Sequence, residues 1–171
     1  MPDPTAVPDP GPETAALLGV LRAQRAHVLG ALDGLADTDL RRPVLPSGWT
    51  LLGLVQHLAV DVERFWFRAV VAGEPVQLLS GAEGWQVPAD RPAGEVLELY
   101  RRECALADTV IERTPLDAEP AEWPTELFAD LPRHDLRRTV LHVITETATH
   151  AGHLDAVREL IDGRTWLVLT G

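Results

Sequence analysis

The sequence predicts an all-α protein, a four-helix bundle, on three observations. Four long segments carry apolar residues at helical spacing. None of the chain shows the strict alternation of a strand, and stretches rich in proline and glycine separate the four segments. No one of these helices could bury its own stripe, so they are expected to pack against one another.

The first twelve residues, MPDPTAVPDPGP, hold five prolines and no apolar stripe, and read as a flexible tail over residues 1–12. Residues 13–171 then form a single domain. The first helix is expected from Glu13 to Leu35, where Leu17, Leu21, Val28, Leu32 and Leu35 recur and Gly34 sits near the end. After the link ADTDLRRPVLPSG, Thr50 is a plausible N-cap for a second helix running to Gly73. Leu51, Leu58, Val62, Phe65 and Ala69 mark its stripe. A loop from Glu74 to Asp90 contains Gly81, Gly84 and Trp85. The third helix is expected from Pro92, which suits a first turn, and must finish before Pro115. Another loop, Thr114 to Pro132, carries four prolines and Trp123. The fourth helix spans Asp135 to Ile161, with Leu136, Val140, Ile144, Thr147, Ala151 and Leu154 inward and Gly163 beyond its end. The terminal TWLVLTG could pack or hang free.

Composition narrows the function classes. Fifteen basic residues against 26 acidic ones give a formal charge of −11, which disfavours nucleic acid and anionic membrane as partners. Every basic side chain is arginine, so Schiff-base and lysine-nucleophile chemistry are excluded. The N-terminus has neither the basic patch nor the apolar run of a signal peptide, and the cytoplasm is the expected location. Cys104, the only cysteine, lies in helical sequence and reads as a buried, inert thiol. Ser47 and Ser80 are the only serines. There is no Walker loop, dinucleotide glycine fingerprint, His-Glu-x-x-His or paired-cysteine zinc motif.

The chemistry concentrates in ETATHAGH of the fourth helix. Glu146, His150 and His153 are spaced by four and three residues, so their side chains share one helical face, with His142 a turn earlier. His57 of the second helix flanks its apolar stripe and could add a donor from a neighbouring rod. Imidazole and carboxylate suit zinc, and also nickel, iron or manganese, and three ligands would leave a position open. Glu-x-x-x-His is equally a common solvated surface pair, so spacing alone leaves both readings open. His27 and His134 read as surface or capping residues.

Two segments carry a resemblance. PSGWTLLGLVQHLAVDVERFWF, Pro46 to Phe67, and TVLHVITETATHAGHLDAVRELIDG, Thr139 to Gly163, resemble the second- and fourth-helix signatures of the DinB-like superfamily. The nearest branch is the actinobacterial, mycothiol-dependent S-transferases. The resemblance implies a four-helix bundle of the DinB/YfiT-like type binding one divalent metal through His57, Glu146 and His150. The glutamate stands where many other relatives have a histidine. His153 is then an accessory proton carrier, or an alternative third ligand.

The resemblance further implies an enzyme that conjugates mycothiol, or a related low-molecular-weight thiol, to a small electrophile in detoxification. The nucleophile would belong to the cosubstrate, consistent with the scarcity of serine and cysteine. His142 and Asp61 could act around the ligands, Asp61 by orienting His57, although an exposed helix carboxylate is the simpler reading. Trp85 and Trp123 could wall the substrate pocket or plug the ends of the bundle. Rival readings are a metal-dependent hydrolase, a thiol-dependent isomerase, or a non-catalytic binding or dimerisation module. A homodimer is compatible with the broad apolar stripes, though no residue specifies its interface.

Overall fold

A computed structural model describes residues 11–79, 81–129 and 132–166. Among the described residues the chain is all-helical, with no strand. The helices are α1 (Pro12–Leu32), α2 (Asp37–Leu40), α3 (Leu51–His57), α4 (Ala93–Arg113), α5 (Thr125–Phe128) and α6 (Leu136–Asp162). A π-helical segment, Leu58–Val71, continues α3 without a break, and a 3₁₀ turn covers Gly81–Trp85. Contacts run from α1 to α6, from α6 to the π segment, from there to α4, and from α4 back to α1. Four long rods therefore close a ring around the core.

Local chemistry explains the helix ends. Pro12 opens α1, because a first-turn proline forfeits only an N–H that has no intrahelical partner. The expected tail thus loses its last residue to the helix, and residues 1–10 lie outside the described residues. The Thr50 hydroxyl accepts the Gly53 N–H at 3.0 Å to start α3. The Asp135 carboxylate accepts the Arg138 N–H at 2.8 Å to start α6. Gly163 ends α6 with φ at +76°, a conformation that a side chain would strain.

The second rod departs from expectation. A turn closed on the fifth residue holds more residues than the about 3.6 of an α-turn, so the buried face recurs about every four positions. The buried set is Leu58, Ala59 and Val60, then Val62 and Glu63, Trp66 and Phe67, Val70 and Val71. Phe65 and Ala69, placed inward by an α-helical count, are only half-buried. On α6 the adjustment is smaller: Val143 is buried and Ile144 only partly so.

Four charged residues are buried among the described residues, Arg25, Glu63, Glu103 and Arg158, and two of them pair across the core. Arg25 of α1 donates through Nε and Nη2 to both carboxylate oxygens of Glu63, at 2.7 and 2.6 Å, and through Nη1 to Asp108 of α4. The Arg25 side chain is 6% exposed and that of Glu63 is 0% exposed. A lone charge here would cost several kcal/mol, about 3–5 when one partner is removed, and the bidentate geometry offsets that cost. Where the chain leaves α6, Trp166 stacks on His27 at 4.4 Å over Gly30, whose missing side chain gives the indole room. The described part of the C-terminal stretch therefore packs, and residues 167–171 lie outside the described residues. No helix among the described residues is long and apolar enough to cross a membrane.

Candidate functional site

His57 is the last residue of α3, at the point where α-helical winding passes into the π segment. Changes to π winding often mark functional positions. From α6, Glu146 and His150 project toward it one turn apart. One donor atom from each of His57, Glu146 and His150 lies within 4.8 Å of the others, and all three side chains are partly buried. His150 Nε2 lies 3.3 Å from Glu146 Oε1, and the His57 and His150 rings meet edge to face at 5.2 Å. Burial first, and then the neighbouring His57, hold the His150 imidazole below its ordinary pKa despite the opposing pull of Glu146. A neutral imidazole keeps the lone pair that a cation needs.

The 3₁₀ turn covers this group. Trp85 stacks on the His57 ring at 4.1 Å and 17°, and lies 5.9 Å from His150. Asp61 Oδ2 lies 2.8 Å from His57 Nδ1, so Asp61 is engaged rather than a free surface carboxylate. Gln56 holds the turn, donating from Nε2 to the carbonyls of Glu83, Gly84 and Gln86 at 3.0, 3.2 and 3.0 Å. Its Oε1 accepts from Arg91 at 2.8 Å.

His153 is exposed, outside the converging trio, with its Nδ1 3.5 Å from that of His150. Trp49 lies 6.4 Å from its ring. Trp49 and Trp85, with Ser47, Gly48, Ala82 and Gln86, line an open cavity of about 410 Å³ on this side. Ser80 lies outside the described residues.

Several expected residues go elsewhere. His142 packs edge to face on Trp66 at 4.8 Å and stands apart from the trio. Trp66 is further covered by Phe128, His134 and Trp123 at 5.5, 6.1 and 6.2 Å, so Trp123 belongs to a closed aromatic group and not to the cavity. His134 and His27 are not simple surface residues: one stacks on Trp66, and the other pairs with Asp155 of α6 at 2.8 Å. Cys104 is half-buried and free, and burial raises its pKa well beyond the range of a reactive thiolate.

Sequence reasoning passed over Trp49, Gln56 and Gly53, and named Gly84 only as a loop residue. A glycine inside a helix, as Gly53 is, signals close backbone approach, and here the Trp85 carbonyl occupies the place of its side chain. Nothing local to Gln56 reports which loop it will hold.

The trio offers two imidazoles and one carboxylate on two helices, a donor set fitting a divalent first-row metal with room for an exogenous ligand. No match is found among curated proteins or solved structures. A family model described as mycothiol-S-transferase matches residues 16–163, spanning every element that builds the site. The chain is therefore a member of the mycothiol-S-transferase family.

Proposed function

We propose that the chain is a metal-dependent S-transferase that conjugates mycothiol, or a related low-molecular-weight thiol, to a small electrophile. The observation that carries this reading is the convergence of His57, Glu146 and His150 within 4.8 Å in a member of this family. These three would hold one divalent cation, zinc in the first instance, in a four-helix bundle of the DinB type spanning residues 13–171. When bound, the cation supplies positive charge that favours the thiolate form of the cosubstrate at neutral pH.

The protein's own groups bind, orient and take up the proton. The thiol enters from the side that carries the cavity, because the opposite stretch of α6 is closed by Trp66, Trp123 and Phe128. His153, exposed on the open side and next to His150, accepts the thiol proton and passes it to solvent. Trp49 and Trp85 supply apolar walls that limit water around the reacting sulfur. No protein nucleophile is needed.

The test is metal analysis of chelator-free protein beside a His57→Ala, His150→Ala double variant, followed by a thiol-consumption assay with a reactive electrophile. About one zinc or similar ion per chain, lost in the variant together with conjugation, supports the proposal. A protein that neither holds nor takes up a cation would sink it. Hydrolysis without added thiol would replace transfer by metal-dependent hydrolysis.

A further inference from the structure

The geometry points to Asp61 as the positioning residue that fixes which nitrogen of His57 faces the donor trio, with the 3₁₀ turn holding both in place. A carboxylate accepts, so the ring proton belongs on Nδ1, 2.8 Å from Asp61 Oδ2, and Nε2 remains as the donor. Trp85 lies flat on the same ring at 4.1 Å and restricts its rotation.

The turn that delivers Trp85 is keyed to this pair. A Cβ built on Gly84 would fall far inside van der Waals distance of Asp61 Oδ2, so a side chain there must push the carboxylate out of its present place. On the neighbouring turn of α3, Gly53 leaves room for the Trp85 carbonyl, and Gln56 holds three carbonyls of the segment. Asp61 also sits where i→i+5 winding replaces α-helical winding, so the changed register sets its direction relative to His57. The inference rests on the metal reading above only for its second measurement.

The first measurement is the ¹⁵N chemical shifts of the His57 ring in the metal-free full chain. The wild type is expected to populate the Nδ1–H tautomer. Asp61→Ala is expected to move it toward the Nε2–H form that free imidazole prefers. Asp61→Asn should keep Nδ1–H, because its amide oxygen still accepts. Gly84→Ala leaves the carboxylate in the chain but displaces it, and should reproduce the alanine result.

An Nε2–H wild type, or an Asp61→Ala variant still in the Nδ1–H form, overturns the inference. The second measurement is cobalt(II) titration. Asp61→Ala should bind roughly 10- to 100-fold more weakly, and Asp61→Asn within a few-fold of wild type. Equal affinity in Asp61→Ala overturns the inference. If the wild type binds no cobalt, the metal reading falls alone and the tautomer still decides this one. Thermal midpoints of the metal-free variants, expected to stay near wild type, separate positioning from unfolding.

Discussion

The second rod carries two polar groups that look alike in sequence and behave in opposite ways. Glu63, facing α1 and α4, is enclosed by a guanidinium that answers both of its oxygens, and Arg25 spends its remaining reach on Asp108. His57 faces α6 and meets another imidazole and a carboxylate, with no arginine among the converging groups. The first group is closed: donors and acceptors match, and nothing remains to offer a ligand. The second is a set of lone pairs converging on one point. Burial alone does not separate a structural polar cluster from a candidate site; the separation lies in whether the groups satisfy one another.

The largest expected effect breaks the closed group. Glu63→Ala leaves Arg25 buried and half-answered, and should cost about 3–5 kcal/mol in denaturant unfolding. Cation affinity of the folded fraction should be unchanged. If the same variant instead lost cation binding at little cost in stability, the contrast between the groups would be wrong.

Chelation addresses the open group. With free cation at 100 times its dissociation constant, binding adds about 2.7 kcal/mol to the folded state, so adding chelator should lower the thermal midpoint accordingly. His57→Ala and His150→Ala should each abolish this chelator response. Their metal-free stability should move by about 1 kcal/mol, the scale of an ordinary substitution. His142→Ala should leave cation affinity within about twofold, because that ring packs on Trp66 and not with the trio.

The smallest effect concerns a second satisfied acid. Burial pushes the Glu103 carboxyl up, but hydrogen bonds from Arg64 and Arg68 outweigh it and hold the group below its ordinary value. Its contribution is therefore present above the unfolded pKa of about 4.3 and lost as pH falls through the lower folded value. Glu103→Gln should flatten this part of the acid-unfolding profile while leaving the slope above pH 6 alone.

Much of the fold was legible because its signals are local. Thr50 caps its helix as expected, the fourth helix starts at the Asp135 cap and Gly163 follows its end, each through chemistry within a few residues, whereas Pro12, read as part of the tail, opens the first helix. The second rod was read with the wrong period, which misplaced Phe65 and Ala69, because i→i+5 winding leaves no local mark in the residue types. Arg25 was invisible for a related reason: its burial depends on Glu63, 38 residues away on another rod. Among the tryptophans, position in a loop could not tell Trp85, which lies over His57, from Trp123, which fills an aromatic pack.

What the sequence by itself determined is the shared face of Glu146, His150 and His153, since α-helical geometry places residues three and four apart together whatever surrounds them. It also determined four amphipathic rods that cannot stand alone. The tertiary structure decided that His57 meets Glu146 and His150 while His142 does not, that Asp61 and Trp85 hold the His57 ring, and that Trp49, near the His153 ring, lines a cavity with Trp85. Those outcomes depend on how rods cross and how one of them winds, and such packing is set by the whole core at once rather than by any short stretch of chain.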